Sequence, residues 1–361
     1  MNEYNKPIFK IGIARKAFLG AIIGAAVMAA GVVAQVNSPS PRVLTFSDHQ
    51  PSDRMRTRFL KDVLFPAIER ESSGRLKIDA HWNGEIAAAY DALNAVSNGV
   101  TDMATTVPEY TAKELPLHQI FKSFPVGPTA NSQINFFHRV YNEIPAFTAE
   151  LKQNNIVPIF FGTGYPVAFY SASPLDHLDG IAGAKWRSAS FWHLDFLKNV
   201  GATPVTMHWG PEIYEAMKAK TLDGLMVNVD SGYFLNVHDV APNILVSKAL
   251  WLGHIYPLTM NDDVWDSLTQ EDKDAIHRAV EISSQSLGAV MDDSFEAQID
   301  ALRRAGAKVR ILNSDEIEHL KEATKYEEVQ AKWVETQESN GNPNAGNVLV
   351  KVKSIMSEIM N

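Results

Sequence analysis

The stretch Gly183–Asp230 reads GAKWRSASFWHLDFLKNVGATPVTMHWGPEIYEAMKAKTLDGLMVNVD, and its pattern decides the fold class. A short apolar run leads to Arg187, a helix-length segment follows, Thr203 to His208 form a second strand-like run, and Pro211 opens a second helix. Strand, helix, strand, helix is the grammar of a parallel sheet. Ser188 or Ser190 stands where a cap belongs, Trp192 and Phe196 lie four apart, Leu194 and Leu197 three apart, and Lys198 with Gly201 closes the first helix. Pro211 and Glu212 suit the start of the second, where a missing N–H is harmless and the helix dipole favours an acid. Ile213, Tyr214 and Met217 supply its buried stripe.

Ligands of such α/β units sit beyond the carboxyl ends of the strands, where loops diverge and helix N-termini present unpaired N–H groups. Arg187 is placed there. An arginine at such a point is either one half of an ion pair or a guanidinium that grips a carboxylate through two parallel N–H bonds.

The runs Lys185-Trp186-Arg187-Ser188, Gly201-Ala202-Thr203-Pro204-Val205-Thr206-Met207, Glu212-Ile213-Tyr214-Glu215-Ala216-Met217 and Leu222-Asp223-Gly224 together resemble the substrate-binding subunits of TRAP transporters, the DctP family. That resemblance implies an extracytoplasmic receptor that binds an organic acid, with the small and large membrane permease subunits as partners. Ser73-Gly74-Arg75-Leu76-Lys77-Ile78 and Asn98-Gly99-Val100-Thr101-Asp102-Met103-Ala104 are similar to the same family's first lobe.

Residues 1–34 carry Lys6, Lys10, Arg15 and Lys16 against Glu3, then an apolar run from Ala17 to Val33 and a small-residue site at Val32-Val33-Ala34. This reads as a cleaved signal peptide, with an uncleaved anchor as the rival, and the expected location is the periplasm. Arg15-Lys16 departs from a twin-arginine signal, which favours the general secretory route. Residues 35–41 read as a polar linker. Taking a leader of +3 from a formal charge of −9 leaves −12 for the rest, which argues against nucleic acid as a partner. The chain has no cysteine, so neither a disulfide framework nor a thiolate site is available.

In the first lobe a strand at Val43–Ser47, a helix from about Asp53 to Glu71, a strand at Leu76–Trp82, a helix at Ala87–Asn98 and a strand at Val100–Val107 repeat the β-α-β pattern. His49, His81, Trp82 and Glu109 fall near the ends of these strands, where a side chain faces a cleft or else packs inward or meets solvent. Leu117–Phe124 and Phe136–Leu151 read as helical, with Pro125 and Pro128 between them, and Ile156–Phe161 is an apolar strand.

The strand ends in Gly162-Thr163-Gly164-Tyr165-Pro166. The third glycine of a dinucleotide fingerprint is missing, so the two glycines are read as a hinge between lobes. The family commonly has an arginine after this strand; Tyr165, Val167 and Phe169 stand here instead, which leaves Arg187 as the one obvious guanidinium. Its Asp-Gly-Gln-Glu-Asn run is replaced by Asp223-Gly224-Leu225-Met226-Val227-Asn228. Trp209 occupies the position of the family's ligand-packing aromatic. With Trp82, Tyr165 and Phe191, it implies a pocket richer in aromatic surface than in charge, and hence a monocarboxylate with an apolar or aromatic body. The expected ligand-binding residues are Arg187, Trp209, Glu212, Asn228, Tyr165, Trp82 and His49.

Asp239-Val240-Ala241-Pro242-Asn243, the run through Trp251, His254 and Tyr256, and Leu258-Thr259-Met260-Asn261 resemble the family's return to the first lobe. Thr269 with Asp272 caps a long helix reaching about Arg304. A strand at Gly306–Leu312, a helix at Ser314–Glu328 and a polar loop at Glu338–Asn347 follow. The expected fold is thus α/β, a two-lobed type II-like periplasmic-binding-protein fold. Lobe I takes residues 42–161 plus 253–290, lobe II takes 162–252 plus 291–361, and the long helix braces both.

None of the H-E-x-x-H, G-x-S-x-G or G-x-x-x-x-G-K-[ST] patterns is present. No enzyme chemistry, cofactor or resident metal is therefore assigned, although His49, His81 and His208 are a set that folding can bring together. The competing readings are a secreted enzyme on the same scaffold and a sensor receptor.

Overall fold

The computed structural model describes residues 40–251 and 254–361; the leader expected at 1–34 and residues 35–39 of the linker lie outside the described residues. These residues contain β1 (Arg42–Ser47), β2 (Leu76–His81), β3 (Met103–Thr105), β4 (Ile156–Thr163), β5 (Val167–Ser171), β6 (Lys185–Ser188), β7 (Thr203–Thr206), β8 (Gly224–Asn228), β9 (Asn243–Val246), β10 (Ile255–Asn261) and β11 (Lys308–Ile311). They form two sheets, ordered β2-β1-β3-β10-β4 and β11-β9-β5-β8-β6-β7.

The parallel units read from the sequence are present. β1 pairs in parallel with β2 and β3, and β6 with β7 and β8, with Arg187 opposite Val205. Two strands run against this grain: β10 lies antiparallel between β3 and β4, and β5 antiparallel between β8 and β9. Both sheets are mixed. The chain passes from one to the other three times, after β4, after β9 and after β10, which makes a two-lobed molecule. Gly224 begins β8 where the Trp186 indole presses on the backbone, so any Cβ there would fall on the ring.

The helix Gln270–Arg304 is 35 residues long, about 52 Å at 1.5 Å per residue. Thr269 caps it, accepting from the Asp272 N–H as expected. Its buried residues recur every three or four positions, through Ala275, Ala279, Leu287, Met291, Phe295 and Leu302. This stripe joins one apolar cluster that includes Leu44 and Met260 of the first sheet and Tyr170 and Ile244 of the second.

Several boundaries differ from the expectations. The strand placed at Val100–Val107 is only Met103–Thr105: just before it the Asp102 carboxylate turns back to accept from Thr45 N–H (2.7 Å), and beyond it Pro108 opens a helical turn. The helix at Ala87–Asn98 shortens to Ala92–Ser97. Phe136–Leu151 is two helices, Ala130–Glu143 and Pro145–Gln153, because Pro145 starts the second without an N–H to continue the first. Ser314–Glu328 breaks at Lys325, whose φ of 48° lies in the left-handed region, and Tyr326–Ser339 follows. The polar loop contracts to 340–344, because Ala345–Met360 is an amphipathic helix packing Val348, Val352 and Ile355 inward. Among the described residues no helix is long and apolar enough to cross a membrane.

Candidate ligand-binding site

Five loops converge on one cavity. β1 runs on into His49 and Gln50, β3 into Glu109 and Tyr110, β6 ends at Ser188, β7 runs on to Trp209, and β8 ends at Asn228. All are carboxyl ends of parallel strands. β10, being antiparallel, brings its start to the same edge, so His254 and Tyr256 complete the wall with His193, Met226, Val227, Ala189 and Ser231.

Arg187 is 1% exposed. Its Nε and Nη2 both donate to the Met207 carbonyl, at 3.0 and 2.7 Å, and its guanidinium lies 5.7 Å from the Trp209 ring centroid. No carboxylate comes within 4 Å of it among the described residues, and its Nη1 makes no hydrogen bond there. Burial draws its pKa below that of a free guanidinium, with Tyr110 and Glu109 opposing. A buried cation without a counterion is costly.

The first-sheet side holds its charges in pairs. Arg56 grips Asp48 with both amino groups, donates to Thr105 Oγ1 at 3.1 Å and lies over the Tyr256 ring. Burial alone would raise the Asp48 pKa, but Arg56 outweighs it and holds the carboxyl below its ordinary value. Lys122 Nζ lies 2.6 Å from Glu109 Oε2 and 2.9 Å from His254 Nδ1. Burial pushes the His193 and His254 imidazoles well below the usual histidine range, and His49 below it with Asp48 opposing, so at all three it favours the neutral ring.

The lobes meet at Tyr90. Its ring stacks between Tyr110 (4.1 Å) and His208 (4.7 Å), and its hydroxyl accepts from the Trp209 N–H at 3.4 Å.

Of the residues expected from sequence, Arg187, Trp209, Asn228 and His49 line this cavity. Asn228 Nδ2 donates to the Tyr165 carbonyl at 2.6 Å, which fixes the amide and leaves its Oδ1 without a hydrogen bond among the described residues. Tyr165 stands one layer back, in a neighbouring cavity with Pro128, Trp251 and Phe295. Trp82 turns into the core, edge-on to Phe46 at 5.3 Å, and Glu212 is exposed and folds back over Gly210. His49, His81 and His208 do not converge, and no group of three possible metal ligands stands together among the described residues. Arg187 is also not the one guanidinium near the site, since Arg56 backs Tyr256.

The pocket is more polar than the aromatic reading implied, because Glu109, His193, His254 and Ser188 share its walls with Tyr110, Trp209 and Tyr256. Lys122 had a signal in the sequence, a lone cation in the apolar run Leu117–Phe124; His254 and Tyr256 had another, two polar rings at strand spacing. Gly164 is fixed by contact: a Cβ there would come within 2.8 Å of Asn228 Nδ2 and of His254 Cβ.

Comparison with known proteins agrees with this architecture. Residues 47–335 match the model of the DctP family, bacterial extracellular solute-binding protein, family 7. A solute-binding protein of Chromohalobacter salexigens is 22% identical over 270 residues, covering 72% of this chain and 75% of that one. A TRAP solute-binding protein of Rhodoferax ferrireducens, solved with copurified benzoate, superposes with a TM-score of 0.77 at 19% identity, over 88% of this chain and 98% of the other. An extracytoplasmic solute receptor of Bordetella pertussis that binds pyroglutamic acid gives 0.72 at 17% identity, over 86% and 99%. The chain belongs to the DctP family, family 7 of the bacterial extracellular solute-binding proteins.

Proposed function

We propose that this receptor works in the periplasm, captures a small monocarboxylate between its two lobes and presents the closed form to membrane permease subunits. The observation that carries the reading is Arg187, buried and without a carboxylate partner among the described residues. Among the described residues that line the cavity, Glu109 is the one carboxylate and Arg187 the one guanidinium, and Glu109 is matched by Lys122. One cation remains, and a monoanion neutralises it. A dicarboxylate would leave a second negative charge buried without a partner. Benzoate and pyroglutamate, bound by the two structural relatives, are both monocarboxylates.

Trp209, on the Arg187 side, and Tyr110 and Tyr256, from the first-sheet side, offer flat surface for the body of the solute. The Asn228 Oδ1 adds an acceptor. Closure on such a ligand is a population shift driven by contacts to both lobes, with no covalent step.

Isothermal titration calorimetry against paired mono- and dicarboxylates of the same carbon skeleton tests this. Binding of a monocarboxylate with little response to its dicarboxylate partner supports the reading; preference for the dicarboxylate overturns it.

A further inference from the structure

The first-sheet wall of the cavity carries a second polar group besides Arg187. Glu109, Lys122 and His254 form a connected set with side chains almost wholly enclosed: Glu109 Oε2 to Lys122 Nζ at 2.6 Å, and Lys122 Nζ to His254 Nδ1 at 2.9 Å. An ammonium has only hydrogens to offer, so at His254 it donates and Nδ1 accepts. The neutral ring then carries its proton on Nε2. Lys122 holds Glu109 by Oε2, and Oε1 makes no hydrogen bond among the described residues. Glu109 and His254 both line the cavity. A charged acceptor and a neutral N–H donor are therefore anchored side by side on one ammonium.

A group that gives a proton to the carboxylate while taking one from the imidazole on its own lone pair fits this pair. A hydroxyl does both. An ammonium has no lone pair, and an ether or halogen has no proton.

We infer that the solute carries a hydroxyl, or an N–H adjoining a carbonyl, at the end away from its carboxylate, and that Glu109 with His254 selects it. This rests on the carboxylate reading of Arg187 and deepens it. Arg187 comes from the second sheet, while Glu109 and His254 come from the loops of the first. A solute with both groups is held by both lobes, and one lacking the distal group is held chiefly by one.

The test is calorimetric titration of the purified chain with 3- and 4-hydroxybenzoate and the two hydroxyphenylacetates, each against its fluoro counterpart, with benzoate as reference. Fluorine keeps the size and removes the proton. At least one hydroxy acid is expected to bind about tenfold or more tighter than its fluoro partner, as for a lost hydrogen bond to a charged group. The double variant Glu109→Leu/Lys122→Met removes both partners of the ion pair at once, so it strands neither of them. It should bring hydroxy and fluoro acids to within about threefold of each other, with a thermal melt of the variant checking that it is folded. Equal binding of hydroxy and fluoro acids by the native chain overturns the inference alone, as does a double variant that still discriminates. Failure of every acid to bind overturns the Arg187 reading, and the inference with it.

Discussion

Arg187 and Met207 are joined twice: Nε and Nη2 of the guanidinium both donate to one backbone carbonyl, at 3.0 and 2.7 Å. The contact fixes the plane of the fork before any ligand arrives, so little side-chain entropy is lost on binding. Arg187→Ala is expected to weaken carboxylate binding by about 2–5 kcal/mol with the melting temperature unchanged or raised. Arg187→Lys should rescue poorly, since one ammonium cannot hold Met207 and also grip a carboxylate bidentately. Calorimetry and thermal melts of both variants check this; full rescue by lysine would show that charge alone suffices.

Gly164 offers a different kind of test. Asn228 Nδ2 and His254 Cβ lie 2.8 Å, and Tyr256 Cε2 2.9 Å, from where a Cβ would stand. Gly164→Ala should cost about 1–3 kcal/mol of stability, as overpacking does, and lower affinity by displacing the Asn228 amide. Denaturant melts measure the first effect and titration the second. If Gly164 were instead a free hinge, alanine would leave stability nearly unchanged.

The Lys122–Glu109 pair is expected to be strongly non-additive. Lys122→Met alone takes the nearest counter-charge from a buried carboxylate and Glu109→Leu alone takes it from a buried ammonium, each costing about 3–5 kcal/mol, while the double variant loses far less. A double-mutant cycle by chemical denaturation reads the coupling directly. Single losses that simply add would mean that the two charges do not depend on each other.

Asp230 sets a pH dependence. Burial raises its pKa from the ordinary 3.8 to about 6, against the opposing Ser231 hydrogen bonds and the Arg56 charge. Between these values the folded chain holds a proton that the unfolded chain has released, so this group's contribution favours folding at the acid end. Stability from it falls as pH rises toward 6 and is constant above. Asp230→Asn should therefore be more stable than the native chain at pH 7, by up to about 3 kcal/mol, with the difference shrinking toward pH 4. Paired denaturant titrations at pH 4, 5, 6 and 7 check it, and a pH-independent difference would refute it.

The fold was legible where periodicity and punctuation coincide. The β-α-β units around Arg187, the cap at Thr269 and the end of the long helix at Arg304 all follow from local pattern. What escaped was set by tertiary pairing. Nothing in Val167–Ser171 or Ile255–Asn261 announces an antiparallel neighbour, because a strand buried on both faces reads the same in either direction.

The site divides in the same way. Arg187, Trp209 and Asn228 belong to one continuous stretch that reaches the cavity, whereas Lys122, His193 and His254 meet only after three distant segments fold. Trp82 and Glu212 lie off the cavity for a simpler reason. Proximity to a strand end or helix start does not say whether a side chain turns toward the cleft, the core or water.

The helix Gln270–Arg304 buries its stripe among residues of both sheets, and this shapes how the molecule comes apart. Neither lobe owns its core outright, since each borrows one wall from the same rod. Heating should therefore give one calorimetric transition for both lobes, and the amides of Leu287–Ile299 should be among the last to exchange with solvent, because freeing them requires both lobes to open together.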